Sequence, residues 1–197
     1  MSHHIYNTEG FVLSSNASQE ASKVLCVFTK ELGVVNAIAQ GVRLLKSKLR
    51  YSLQDFSYTN ISLIRGKEIW RVTSASPVAT RFPLIQSHSE YYIVYIKILS
   101  LLKRLLNGEE KNESLFISVT EAFDFLENTT LSSSELLSFE CILVLKILHN
   151  LGYGAKNQVL DKYASPLTWD KDKLGDFDQY RVQALTTINT ALRESQL

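Results

Sequence analysis

The sequence predicts a mixed α+β fold in which a small closed β-barrel precedes a bundle of α-helices. Five short stretches of β-strand character lie before residue 77, and one long basic segment separates the third from the fourth. From residue 89 onward, apolar residues recur at helical spacing instead. Short strands packed this densely along a chain favour a closed barrel over an open sheet.

The predicted strands are residues 9–14, 23–29, 33–41, 53–64 and 68–73. The second strand is apolar on both faces, with Val24, Cys26 and Phe28 alternating with Leu25 and Val27, as expected inside a closed barrel. Glycines punctuate both ends of the third strand, and residues 65–67 predict a tight turn between the last two. No helical pattern appears before residue 77. The five-stranded OB barrel is therefore the leading candidate, and this barrel type commonly binds oligonucleotides.

The segment between the third and fourth strands carries the strongest functional signal. Its four cations within eight residues are Arg43, Lys46, Lys48 and Arg50. No carboxylate lies between Glu31 and Asp55, so a loop here would suit a phosphate backbone, although a solvated loop fits the charge alone equally well. Tyr51 follows Arg50 directly and is predicted to be exposed and to stack on a base. The predicted DNA-binding residues are these four cations and Tyr51, whereas we expect most other barrel aromatics to be core.

The second half of the chain predicts four helices, at residues 89–106, 112–128, 136–151 and 178–194. The first is so apolar that we expect it to be buried nearly all round. Ser132 and Glu135 predict a cap for the third, and the last is amphipathic through Val182, Leu185, Ile188 and Leu192. These faces must bury on one another and on the barrel.

The charge is unevenly divided along the 197 residues. Residues 1–80 hold nine Lys and Arg against five Asp and Glu, a net +4, whereas residues 81–197 hold twelve against fifteen, a net −3. This asymmetry predicts a polyanionic partner for the first half. The two cysteines are predicted to be buried thiols, and neither a signal peptide nor an apolar run long enough for a bilayer is evident. We therefore expect a cytoplasmic protein with no membrane partner.

Catalytic chemistry is not predicted. The sequence has no phosphate-binding loop, zinc-protease motif or nucleophile elbow. His149 lies among apolar residues, which predicts a packing role, and Asp170, Asp172, Asp176 and Asp178 are interleaved with lysines, which predicts a solvated connecting segment rather than a metal site. We expect no enzyme activity, no cofactor and no bound metal.

Six short motifs resemble the bacterial recombination mediator family RecO. They are T-E-G-F-V-L at 8–13, F-T at 28–29, L-G at 32–33, A-Q-G-V-R at 39–43, S-K-L-R at 47–50 and L-Q-D-F at 53–56. Their order and spacing both match the family signature. Two positions depart from it: Gln40 stands where the family usually has lysine, and Asp55 where it has proline.

The resemblance implies an OB-fold nucleic-acid-binding domain over residues 1–78 and a helical domain over 79–197. It implies a nucleoid-associated DNA repair and recombination mediator that binds single- and double-stranded DNA and anneals complementary strands. It also implies that the protein helps to load RecA on DNA coated with single-strand DNA-binding protein (SSB), with RecR and the SSB C-terminal tail as partners.

Many relatives carry a four-cysteine zinc module after the L-G-Y motif. Residues 154–173 hold no cysteine or histidine, so the resemblance implies a shortened member without that metal site. Two other functions remain open: a protein-interaction scaffold whose barrel no longer binds nucleic acid, and a generic OB-fold RNA-binding protein.

Overall fold

The amino-terminal part of the chain is a closed five-stranded barrel, which confirms the predicted fold class. The computed structural model describes residues 4–78, 82–154, 158–165 and 168–194. The strands are β1 (Ile5–Ser18), β2 (Ser22–Thr29), β3 (Gly33–Ala39), β4 (Tyr58–Arg65) and β5 (Trp70–Pro77). Around the barrel they run in the order β1-β2-β3-β5-β4, and β4 closes on β1. This is the connectivity of an OB barrel.

The long first strand closes the barrel because it has two partners. Residues 5–11 of β1 pair with β4, and residues 10–18 pair with β2. The register shifts between Val12 and Ser14, where an irregularity lets the strand bend from one neighbour to the other. β3 and β5 complete the wall as a short parallel pair.

Alternating side chains of the strands fill the barrel. Leu25 and Val27 of β2 are fully buried together with Val35, Ala37 and Leu63. The barrel interior is thus a packed core rather than a cavity for a ligand. On the opposite face of β2, Phe28 is buried, but Val24 and Cys26 are only half-buried, so the predicted burial of both faces holds in part. Of the two cysteines predicted to be buried, only Cys141 is.

The predicted start of the fourth strand is wrong. A one-turn helix, α1 (Leu49–Ser52), occupies part of the segment, and β4 begins at Tyr58. Phe56 has a positive φ of 65°, a left-handed conformation that an extended strand does not tolerate. Its backbone N–H donates to Val12 at 2.7 Å, which offsets part of the strain. α1 was not predicted, because no helical pattern appears before residue 77.

After the barrel, the described residues form mainly helices. The helices are α2 (Pro83–Ser87), α3 (Ser89–Leu105), α4 (Glu113–Asn128), α5 (Ser133–Asn150), α6 (Gln158–Ala164), α7 (Lys171–Phe177) and α8 (Arg181–Glu194), with a 3-10 turn at Asp178–Tyr180. The four predicted helices correspond to α3, α4, α5 and α8, whereas α2, α6 and α7 were not predicted. Within the described residues, no helix combines the length and apolarity needed to cross a lipid bilayer.

The predicted burial of α3 nearly all round is wrong, and the most buried of the long helices is α5. Eleven residues of α5 between Leu136 and Leu148 are buried. In contrast, Ile93 of α3 is exposed, and Lys97 of α3 forms a salt bridge to Glu140 at 3.0 Å. The cap predicted for α5 is confirmed, because Ser132 and Glu135 form a reciprocal capping box.

The chain divides into two compact units. The first consists of the barrel together with Leu99–Glu113, which we call the return segment, and the second of Phe82–Ile98 with the described residues from Ser114 onward. The predicted division at residues 78 and 79 borders residues 79–81, which lie outside the described residues. It also assigned residues 99–113 to the helical domain, whereas they pack with the barrel.

Backbone contacts fasten the return segment to β3. The Val34 N–H donates to the Gly108 carbonyl at 3.1 Å. Gly33 has a φ of +70°, and the backbone of Glu110 lies so close to its Cα that a Cβ atom would overlap it. This approach requires glycine for both its conformation and its missing side chain.

The Glu109 carboxylate of the return segment binds two barrel side chains. It accepts a hydrogen bond from the Trp70 indole at 3.0 Å and forms a salt bridge to Arg65. The Arg65 guanidinium also lies over the Trp70 ring, 4.8 Å from its centroid. Burial alone would raise the pKa of Glu109, but the hydrogen bonds from Arg65 and Trp70 and the charge of Arg65 lower this pKa below its ordinary value.

Replacing this carboxylate should therefore change the acid stability of the barrel. We expect Glu109→Gln to lower the free energy of unfolding at neutral pH by about 1 kcal/mol, a small value because the pair is partly exposed. Because the folded pKa is depressed, the stabilisation is present above the ordinary value of 4.5 and is lost as pH falls through the lower folded pKa. In urea denaturation curves, the difference in unfolding free energy between the parent and Glu109→Gln should therefore become smaller below that pH. The Glu110→Gln variant, which keeps the Glu109 contacts, is the control, and an equal loss in both variants would contradict this role.

Candidate nucleic-acid interface

The segment between β3 and β4, residues 40–57, is here called the basic loop. Two of its residues, Val42 and Leu53, are buried in the barrel core, and Leu49 packs against the same core. The Arg43 backbone N–H donates to the Ala21 carbonyl at 3.0 Å, which ties the loop to the β1–β2 turn. Val42, Leu49 and Leu53 thus anchor the backbone of the loop to the barrel, and the four cations between them are exposed.

Successive turns shape the exposed part of the loop. Gly41, with a φ of +66°, starts the first turn, and its carbonyl accepts the Leu44 N–H at 3.1 Å. The Leu44 carbonyl then accepts the Ser47 N–H at 3.0 Å, and the Ser47 carbonyl accepts the Arg50 N–H at 3.3 Å. The third of these turns leads directly into α1, so most of the loop has defined backbone hydrogen bonds.

Each side chain of the predicted site is exposed. The set consists of Arg43, Lys46, Lys48, Arg50 and Tyr51. Tyr51 is 78% exposed. Among the described residues, none of the four cations forms a salt bridge to a carboxylate, and Arg43 instead donates to the Gln19 carbonyl at 3.5 Å. The positive charge of the loop is therefore directed at solvent rather than neutralised within the barrel.

A groove of about 280 Å³ brings together some of these cations and one that was not predicted. Its lining residues are Lys23, Val42, Arg43, Arg50, Leu53 and Gln54. Lys46, Lys48 and Tyr51 do not line it and lie elsewhere on the loop. The groove therefore concentrates three positive charges, and none of its lining residues carries a negative one.

Lys23 escaped the sequence analysis because it lies far from the basic loop along the chain. It pairs with Ala39 across the β2–β3 hairpin, which places it beside the start of the loop. Lys23 could have been identified from the pairing register of the β2–β3 hairpin. Its ammonium group donates to Ser15 at 3.0 Å, and the Ser15 hydroxyl donates to Asp55. Asp55, one of the two departures from the family signature, thus sits near Lys23 without lining the groove.

Most other barrel aromatics lie in or near the core, although Tyr6 of β1 is 37% exposed. Phe11, Phe28, Tyr58 and Trp70 are buried, and Phe56 is half-buried. The Tyr58 hydroxyl donates to Glu9, and the Phe11 ring lies 4.5 Å from the Tyr58 ring. Such rings serve packing, whereas Tyr51 presents its ring to solvent.

Two other groups considered in the sequence have different environments. The predicted packing role of His149 is wrong, because this side chain is exposed on α5. Asp170 caps α7 by accepting the Asp172 N–H at 3.1 Å, and Asp178 forms a salt bridge to Arg181 at 2.6 Å. These carboxylates are exposed but belong to helical turns rather than to the connecting segment that was predicted. In the part of the chain that the structure describes, no three His, Cys, Asp or Glu side chains are grouped to hold a metal ion.

Comparison with known proteins finds a family that matches the barrel and relatives whose similarity extends beyond it. Residues 1–81 match the family described as "Recombination protein O N terminal". A protein of Alkaliphilus metalliredigens named "DNA repair protein RecO" is 30% identical over 136 residues, covering 61% of this chain and 55% of that protein.

Two clostridial proteins with the same name are similarly related. The one from Clostridium perfringens is 30% identical over 149 residues, which covers 75% of this chain and 58% of the relative. The one from Clostridium novyi is 28% identical over 151 residues, which covers 76% of this chain and 57% of the relative. The chain thus spans about half the length of the curated relatives it matches.

Proposed function

We propose that this chain, which belongs to the RecO family, is a non-catalytic DNA-binding protein that acts in DNA repair and recombination. The observation that carries the proposal is the groove of Lys23, Arg43 and Arg50 at the base of an exposed, cationic loop. The named relatives supply the biological setting, since each is called a DNA repair protein.

The proposed binding mode follows from the charge distribution. Arg43, Arg50 and Lys23 bind phosphates in the groove, Lys46 and Lys48 extend the contact along the loop, and Tyr51 stacks on a base. Phosphate contacts position a nucleic acid without reading its sequence, so we expect weak sequence preference. Both single- and double-stranded DNA present phosphates and are therefore proposed ligands.

We further propose that the bound strands are annealed to complementary strands. Annealing breaks and forms only base pairs, so a protein that screens phosphate repulsion and holds two strands together needs no cofactor. The family relationship supports a role on DNA coated with SSB, where the protein would help to load RecA together with RecR. The proposed place of action is the bacterial nucleoid.

The proposed docking of the SSB tail depends on the helical unit. Many family members carry an arginine just before the Phe-Glu pair of α5, where this chain has Leu137 and Ser138. Ser138 is fully buried, and its hydroxyl has no hydrogen-bond partner among the described residues, whereas Leu137 is half exposed. Neither side chain supplies the positive charge of an arginine. A pulldown with the tail peptide that captured nothing would remove this partner.

The salt dependence of binding tests the proposed phosphate contacts. If Lys23 and the four predicted cations each contact one phosphate, the logarithm of the affinity for single-stranded DNA should fall with the logarithm of salt concentration at a slope of roughly −3.5. Fluorescence titration of a labelled oligonucleotide at several salt concentrations measures this slope. A slope near zero would exclude the basic loop as the anchor.

The same titration distinguishes the alternative functions. An absence of nucleic-acid binding would favour a protein-interaction scaffold, for which the missing charge at Gln40 is the supporting observation. Competition between matched DNA and RNA oligonucleotides separates the DNA-binding proposal from a generic RNA-binding function. Preferential binding of RNA would contradict a role in DNA repair.

A further inference from the structure

Two adjacent leucines project from the middle of the basic loop. Leu44 is 57% exposed and Leu45 is 88% exposed. Single exposed leucines are common on protein surfaces, but here the pair lies between Arg43 and Lys46, within the strongest positive charge of the chain. The neighbouring Val42 is buried in the barrel, so the loop contains apolar residues with opposite orientations.

The backbone explains why these side chains face outward. The hydrogen bonds of the Leu44 N–H to Gly41 and of the Ser47 N–H to Leu44 place both leucines in tight turns at the outer part of the loop. The Leu44 side chain lies alongside Gly41. A Cβ atom on Gly41 would lie 3.5 Å from Leu44 Cδ1, an ordinary van der Waals distance. Leu45 makes little contact with the rest of the molecule, as its exposure shows.

A ligand that covers this surface should have anionic groups for the cations and apolar groups close to them for the leucines. Single-stranded nucleic acid has this combination, because its phosphates alternate with bases whose faces are not fully stacked. A duplex offers the same phosphates but keeps its base faces stacked, and leucines contact them only after partial unstacking, which costs energy. Charge complementarity favours a polyanion, the proposed function makes that polyanion a nucleic acid, and the leucines favour an unpaired strand.

We infer that Leu44 and Leu45, in addition to Tyr51, are a second binding element of the basic loop that contacts unstacked bases and makes the loop discriminate unpaired strands from duplex. This inference rests on the proposed function, since it assumes that the cations bind nucleic acid. The cations bind both forms, whereas the leucines stabilise only the single-stranded complex.

The test replaces both leucines in the full chain. We expect Leu44→Ser/Leu45→Ser to weaken binding of a single strand of about 30 nucleotides by about tenfold and binding of its duplex by less than about twofold. The salt slope should not change, because no cation is removed. The matched control is Val182→Ser/Leu185→Ser, a similarly exposed pair on α8, which should leave both affinities unchanged.

A spectroscopic readout separates contact with bases from a general loss of affinity. A 2-aminopurine placed inside the single strand reports stacking through its fluorescence. The parent protein at saturation should change this fluorescence, and the double serine variant at saturation should change it much less. Circular dichroism and melting temperature confirm that the variant is folded.

Several results would overturn the inference. Equal losses for single strand and duplex, or no loss for either, would remove the leucines as a discriminating element while leaving the proposed function intact. Binding of the parent to phosphatidylglycerol vesicles that is lost in the serine variant, without a change in DNA binding, would assign the leucines to an anionic lipid surface instead. A parent chain that binds no nucleic acid would overturn the proposed function as well.

Discussion

Replacing Arg43, Lys46, Lys48 and Arg50 with glutamate is expected to lower the affinity for single-stranded DNA by at least about 100-fold at moderate salt. Each substitution removes a phosphate contact and adds a charge that repels the phosphate backbone. The four side chains are exposed, and Val42, Leu49 and Leu53 still anchor the loop, so the barrel should remain folded. A mobility shift or anisotropy titration measures the loss.

The control is a second variant with the same net charge as the loop variant. Lys67, Arg71, Lys103 and Arg104 are also exposed cations of the barrel unit, and their replacement by glutamate changes the total charge equally. This second variant should retain most of the affinity because its cations lie outside the basic loop. Similar losses in both variants would mean that overall charge, rather than the groove and loop, determines binding.

Replacing Gly33 with alanine is expected to destabilise the barrel by about 3–5 kcal/mol. Its φ of +70° is unfavourable for any residue with a Cβ, and the new methyl group would overlap the Glu110 backbone. Backbone atoms cannot rotate away as a side chain can, so either the return segment or β3 must move. This large effect comes from one methyl group at the start of β3, opposite the strand end that leads into the basic loop.

Gly108→Ala provides the matched control. Gly108 also has a positive φ, of +77°, but open space surrounds its missing Cβ. Its replacement should cost only the conformational strain, about 1–2 kcal/mol. Urea denaturation in a Trp169→Phe background, where Trp70 remains as the tryptophan reporter of the barrel, measures both variants. If Gly33→Ala proved no more destabilising than Gly108→Ala, the close approach of Glu110 would not be needed for stability.

The barrel could be predicted from sequence because its signals are local. Alternating apolar residues and the glycine at position 33 define the strands within short windows. The wrong start of β4 shows the limit of this approach, because Leu53 and Phe56 are apolar but serve as an anchor and a turn. The four residues of α1 are too few to display a helical period.

The candidate site was only partly predictable because some of its features are non-local. The charges of the basic loop are visible in sequence, but Lys23 reaches the groove through strand register. The exposure of Leu44 and Leu45 runs against the general tendency of leucine to be buried.

The buried face of α8 was likewise only partly predictable from sequence. Of the residues expected on the inner face of α8, Ile188 is buried, but Val182 and Leu185 are 79% and 46% exposed. Ala184 and Ala191, which were not expected there, are buried. Small residues allow a helix to approach its neighbours closely, and an apolarity pattern alone does not reveal which residues do so.

The attachment of the return segment has a consequence for how the barrel is completed during synthesis. All five strands leave the ribosome before Gly108, Glu109 and Glu110 do, so β3 and the Trp70 indole initially lack these partners. The nascent barrel must wait for α3 to be translated before its last hydrogen bonds form. Folding of the first unit is therefore coupled to synthesis of a segment that belongs, by sequence order, to the helical half of the protein.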